Sequence, residues 1–225
     1  MNGVNSTGGG AHGRAAGAPT GALADLLERC AARFEAHTVL ERIVGRATGP
    51  ACGGLAAQGK VVVTVVDPDA SSERVRMAYG LKADVRVAGN DDVVLPKSDL
   101  VVLHGGKPLD WQSTLVALGK LATRALVVVA ENPGTWPDQA RALFTWKKDA
   151  SGVGAPSDWG RTSELAPVLW AIGRVREHEF LDVPSFAAPS SRFARFASRL
   201  APSHAFVVDV TPRSPQARRR LRLGT

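Results

Sequence analysis

Residues 39–67 read VLERIVGRATGPACGGLAAQGKVVVTVVD, and this segment decides the fold of the chain. An apolar run, 39–44, enters a turn that carries Gly45 and Gly49. A small-residue stretch follows, and the β-branched run 60–66 then ends on Asp67. The order is strand, glycine-rich turn, helix, strand, acidic tip, by which a chain cradles an adenosine-containing cofactor. Glycine at a strand-to-helix junction permits positive φ and lets a ligand approach main-chain N–H groups. An acid at the tip of the second strand can accept both hydroxyls of a ribose. The middle position of the turn is Ala47, however, and G-x-A-x-G also suits an ordinary strand-to-helix turn. Asp67-Pro68-Asp69 likewise suits a plain turn.

Upstream, residues 22–37 place Leu23, Leu26, Leu27, Cys30 and Phe34 at helical spacing, which predicts an amphipathic helix. The run 39–44 is the first strand, although Glu41 and Arg42 make it a poor interior strand and leave a continuation of the helix open. Downstream the alternation is cleaner: strand 60–66, helix 71–80, strands 84–88 and 99–103, helix 110–123 with Asp110 as cap, and strand 125–130. Residues 134–161 form an irregular insertion with Trp136, Phe144, Trp146 and Trp159, read either as an apolar substrate wall or as loop packing. Helix 163–174, strand 177–183, short helix 191–200 and strand 204–210 complete the pattern, the last two strands as an antiparallel pair closing one edge. The expected fold is α/β: one doubly wound, mostly parallel Rossmann-like sheet with helices on both faces.

Composition narrows the function classes. The chain has 225 residues, 44% of them hydrophobic and 22% charged, as in an ordinary globular domain of 22–212. The Gly/Ala-rich residues 1–21 predict a flexible tail with no apolar core for a signal peptide. No apolar run is long enough to span a bilayer, so no membrane partner and a cytoplasmic location are expected. Two isolated cysteines, Cys30 and Cys52, and five scattered histidines give no metal-ligand spacing, so no metal is expected. The net charge of +7 resides largely in the tail 213–225, with Arg213, Arg218, Arg219, Arg220 and Arg222. Such a tail can touch phosphates non-specifically, and no nucleic-acid motif accompanies it.

Three runs together resemble the class I S-adenosylmethionine-dependent methyltransferases: residues 39–67, Ala88-Gly89-Asn90-Asp91-Asp92-Val93-Val94-Leu95-Pro96, and Ser98-Asp99-Leu100-Val101-Val102-Leu103. That family shows a glycine-rich loop after the first strand and an acid ending the second. A G-D-A…L-P segment follows the third strand, and the next strand carries an early aspartate. The resemblance spans roughly residues 22–210. It implies S-adenosylmethionine as cofactor and methyl transfer to a small-molecule or protein acceptor that the sequence does not identify. Gly45 and Gly49 would lie against its methionine part, Asp67 would hold the ribose, and Asp91, with Asn90 beside it, would accept from the adenine amino group. Asp99 would begin the fourth strand and count among the cofactor residues, and the end of that strand, near His104-Gly105-Gly106, would border the methyl sulfonium. His104 is then the candidate base, ahead of His178 and Asp182.

The chain departs from the family at two positions. Ile43 stands two residues before Gly45, where the family carries an acid, and Glu41 is displaced; Ala47 replaces the middle glycine. These departures keep open a cofactor-free interaction module on the same fold. A nicotinamide-dependent oxidoreductase is a third reading, against which stand the missing Tyr-x-x-x-Lys pair and the single tyrosine, Tyr79, on a predicted surface helix. Oligomeric state is not legible.

Overall fold

The computed structural model describes residues 21–44, 49–67, 72–88, 94–106, 108, 110–131, 162–183, 201 and 203–211. The predicted N-terminal tail up to residue 20, the insertion 134–161, the helix 191–200 and the basic tail 213–225 lie outside them. The elements are α1 (Gly21–Arg33), β1 (Thr38–Val44), α2 (Gly53–Ala57), β2 (Val61–Val66), α3 (Ser72–Tyr79), β3 (Ala83–Val87), β4 (Ser98–Gly105), α4 (Trp111–Leu121), β5 (Ala122–Glu131), α5 (Thr162–Ile172), β6 (Arg174–Leu181) and β7 (Ser203–Asp209).

The strands form one seven-stranded sheet in the order β3-β2-β1-β4-β5-β7-β6. The first five run parallel, and β7 pairs antiparallel with both β5 and β6. The predicted doubly wound sheet with its antiparallel closing pair is therefore the observed one. Because alternate residues point to opposite faces, each strand feeds two separate cores. Val39, Ile43, Val62, Val66, Leu100 and Val102 pack under α1, α2 and α3. Leu40, Val44, Val63, Val65, Val101 and Leu103 join Leu115, Leu118, Leu165 and Leu169 of α4 and α5 on the other side. Burial on both faces explains the β-branched runs of β2, β4 and β5.

Two sequence expectations need correction here. The first helix does not reach residue 37: Glu35 takes a left-handed φ of 48°, and Ala36 N–H bonds back to Ala31 O at 2.8 Å. The 6→1 bond across a left-handed residue is a Schellman-type stop. More consequentially, β1 is an interior strand in spite of its charges, lying between β2 and β4. Glu41 is opposite Thr64 of β2 and Val102 of β4. Composition argued against this placement because it cannot show that both charges are met by partners from other elements.

Glycine shapes two contacts at the amino end of the sheet. A Cβ on Gly119 would lie 2.5 Å from Ile172 Cγ2, where α4 closes against α5. A Cβ on Gly173 would strike the main-chain carbonyl of Asp209, where the chain leaves α5 for β6.

Candidate functional site

Strand order reverses direction between β1 and β4, since the chain proceeds from β1 outward to β2 and β3 but from β4 outward to β5. In open α/β sheets ligands bind in the crevice at the carboxyl ends of such a strand pair. Val44 is in register with Gly105 there, Gly105 has φ 97°, and Gly106 N–H donates to Val44 O at 2.8 Å. The left-handed φ is open to glycine at little cost, and it turns the chain sharply as β4 ends. Gly49 lies between β1 and α2, and Asp67 directly follows the last residue of β2. Gly45, Asn90 and Asp91 lie outside the described residues.

Beneath this crevice, on the α1–α3 face, the Glu41 carboxylate is completely buried. Its Oε1 accepts from Ala51 N–H at 2.5 Å and Cys52 N–H at 3.2 Å, and meets His104 Nε2 at 2.9 Å. Its Oε2 accepts from Thr64 Oγ1 at 2.8 Å and from the Tyr79 hydroxyl. Burial opposes the charge, yet the hydrogen bond and charge of His104, with the bonds from Tyr79 and Ala51, outweigh it and hold the carboxyl below its ordinary range. Burial first, and then the Glu41 charge, push the Tyr79 hydroxyl well up. Five donors converge on one carboxylate, which ties the residues just before α2 to β2, α3 and the end of β4.

The same geometry relocates three residues singled out in the sequence. His104 is 3% exposed and its Nε2 is engaged by Glu41, so its ring belongs to the core beneath the crevice rather than to a free base beside a methyl acceptor. Tyr79 is 4% exposed, not a surface residue, because the apolar side of α3 faces the sheet. Asp99 lies at the amino end of β4, the opposite end from the crevice. Its Oδ2 accepts from His37 N–H at 2.9 Å and from Thr38 N–H at 3.1 Å. Burial resists its charge, but these bonds win and hold the carboxyl below its usual range. The assignment of Asp99 to the cofactor residues is therefore corrected: it caps the start of β1.

On the α4–α5 face, Arg42 and Asp67 form an ion pair through Arg42 Nη2 and Asp67 Oδ1, with side chains 18% and 25% exposed. Arg42 Nη1 is buried and meets no hydrogen-bond acceptor among the described residues. Farther along the same face, His178 Nε2 lies 2.9 Å from His204 Nδ1, and the His178 ring stacks on Phe206 at 4.4 Å. Burial lowers the His178 pKa. Asp182, at φ 56°, follows β6 in the turn that leaves it. Cys30 and Cys52 are both buried and free, as expected of small apolar residues; burial and then the Glu177 charge push the Cys30 thiol up to about 12. Among the described residues no three His, Cys, Asp or Glu side chains could hold a metal ion, and no helix is long and apolar enough to cross a membrane.

Tyr79 and Arg42 were missed as site-building residues by sequence reasoning, which weighed Glu41 only as a displaced stand-in for the family's acid before the first glycine. The available signal was the pair of adjacent charges inside an otherwise apolar strand, since buried charges are retained only where partners or ligands meet them. An acid at the tip of β2 and a guanidinium nitrogen beside it that meets no acceptor among the described residues suit the hydroxyls of an adenosine ribose, which both donate and accept.

No family model matches the sequence, and no curated protein does. Solved structures do match in fold. The magnesium protoporphyrin IX methyltransferase of Synechocystis PCC 6803, with S-adenosylhomocysteine bound, is 15% identical, with a TM-score of 0.51 over 83% of this chain and 81% of that one. A TehB-like S-adenosylmethionine-dependent methyltransferase of Corynebacterium glutamicum is 15% identical, with a TM-score of 0.51 over 83% and 86%. The Burkholderia thailandensis 1,6-didemethyltoxoflavin-N1-methyltransferase, solved with its substrate and S-adenosylhomocysteine, is 12% identical, with a TM-score of 0.51 over 85% and 79%. At these identities the likeness is one of fold: the chain has the Rossmann-like architecture of class I methyltransferases.

Proposed function

We propose that this protein binds S-adenosylmethionine at the carboxyl ends of β1, β2 and β4 and transfers its methyl group to an acceptor. The observation that carries the reading is the placement of Asp67 at the tip of β2, beside the switch point of a sheet with methyltransferase topology. Asp67 holds the ribose hydroxyls. Gly45 and Gly49 let the chain approach the methionine part, and Asp91, with Asn90 beside it, receives the adenine amino group. When bound, the cofactor supplies an electrophilic methyl group on a sulfonium.

The chain's own contribution is then chiefly positional. Methyl transfer needs close approach and in-line geometry more than proton transfer. Gly105, at its left-handed φ, turns the chain away as β4 ends beside the crevice, and Glu41 fixes the main chain at Ala51 and Cys52 just before α2. His104 acts through Glu41 in this arrangement, and we assign it no proton from the acceptor.

A second reading, a cofactor-free interaction module on the same fold, is favoured by one observation. Five donors already occupy Glu41, so the acid closest to the family's ammonium anchor is turned inward. A nicotinamide oxidoreductase draws no such support, because the single tyrosine is buried against Glu41. Calorimetric titration with S-adenosylhomocysteine and with NAD separates the three. We expect binding of the first in the micromolar range, weakened about tenfold or more in Asp67→Ala, as for loss of hydrogen bonds to a charged group. Asp99→Ala should leave the affinity unchanged while lowering Tm. Absence of heat with S-adenosylhomocysteine would sink the methyltransferase reading.

A further inference from the structure

Arg42 is an unusual residue for its place. It lies on an interior strand, opposite Val65 on one side and Leu103 on the other, within the apolar layer facing α4 and α5. Asp67 follows Val65 by two positions and so lies on the same face, one step nearer the crevice. The arginine side chain spans that step and pairs Nη2 with Asp67 Oδ1. Nη1 of the same guanidinium is buried with no acceptor among the described residues.

Stability gives no sufficient reason for this arrangement. An ion pair so far withdrawn from water gains little over apolar side chains of similar volume, and a buried N–H without an acceptor adds a further cost. The planar guanidinium, by contrast, presents its donors in a fixed fork, so fixing Nη2 on Asp67 also fixes the direction of Nη1. A ribose hydroxyl can donate its proton to a carboxylate and accept through its oxygen from a neighbouring N–H.

We propose that Arg42 is a positioning residue of the ligand site: it orients the Asp67 carboxylate and directs its second guanidinium nitrogen to the ribose of an adenosine ligand. The inference rests on the reading that Asp67 receives the ribose. It makes the sugar hydroxyls, rather than the base or the amino-acid end, the part of the ligand that Arg42 senses.

The test compares S-adenosylhomocysteine with its 2′-deoxy and 3′-deoxy analogues, by calorimetry, on wild type, Arg42→Met and Arg42→Lys. Arg42→Met should bind the parent ligand about tenfold more weakly and lose most of the wild-type preference for the parent over at least one deoxy analogue. Arg42→Lys should recover part of that preference, since an ammonium restores charge without the fork. A merely structural Arg42 would weaken parent and analogues alike, and that result overturns the proposal, as does an unchanged affinity in Arg42→Met. Should Arg42→Met fail to fold, Arg42→Lys decides alone: full wild-type preference in it overturns the proposal, and a reduced preference supports it. If Asp67→Ala loses binding while Arg42→Met keeps it, this inference falls and the cofactor reading stands. If wild type binds none of the three ligands, both fall.

Discussion

Glu41 concentrates the chemistry of the fold in one carboxylate. Its five donors come from residues far apart in sequence: Thr64 is 23 positions away, Tyr79 is 38 and His104 is 63. Glu41→Gln replaces one acceptor oxygen by an NH₂ group that faces donors, and should cost about 3 kcal/mol at neutral pH, in the range for breaking a buried charged pair. Urea unfolding measures it. The pH dependence has a definite sign. The folded carboxyl titrates below the unfolded value of about 4.3, so the unfolded chain takes up the proton first as pH falls. The stability due to Glu41 is present above about pH 4.3 and is lost as pH falls through the folded value. Glu41→Gln should accordingly flatten the acid limb of a plot of stability against pH. An acid limb as steep as that of wild type would show that other carboxylates govern it. None of this network was legible in the sequence, because its partners are set by strand register: Glu41 faces Thr64 only once β1 and β2 are paired in one particular alignment.

Among the elements, regular strands and helices were the legible part. β2, β4 and β5 are β-branched runs buried on both faces, so local composition and final environment agree. β1 was obscured because Glu41 and Arg42 violate that agreement locally and are compensated only by other elements. Such violations fall where the candidate site lies. The joint between α5 and β6 is a further case. Gly173 N–H bonds Leu169 O at 3.0 Å to end the helix, and the space for its missing side chain is filled by the main chain of Asp209. Because backbone cannot swing aside as a side chain can, Gly173→Ala should destabilise by about 2 kcal/mol, as in other overpacked sites. A shift of less than about 0.5 kcal/mol in denaturant midpoint analysis would mean that the joint yields freely.

Taken as a unit, the sheet is closed at one edge by β7 and β6 and covered there by α1. The helix contributes Leu26 and Leu27, both essentially inaccessible, and reaches the edge strand through Arg29–Glu179 at 2.7 Å and through Arg33–Glu177. Both ion pairs are substantially exposed, so Arg29→Ala should cost less than about 1 kcal/mol. Leu26→Ala should cost about 3 kcal/mol through the cavity it leaves. Chemical denaturation of the two variants distinguishes a helix held by its apolar face from one held by its charges; equal losses would refute the first. The amphipathic stripe was readable at sight, whereas its docking partner was not, because Glu177 and Glu179 lie 144 and 150 residues from their arginines.

That separation has a consequence for how the chain is made. A ribosome adds about 5–20 residues per second, so α1 emerges roughly 8–30 s before the strand it grips. Throughout that interval its leucine face has no β6–β7 edge to settle against and relies on the early strands or on chaperones for cover. Slowing translation between α4 and β6 should therefore lengthen the time for which the nascent chain is prone to aggregate.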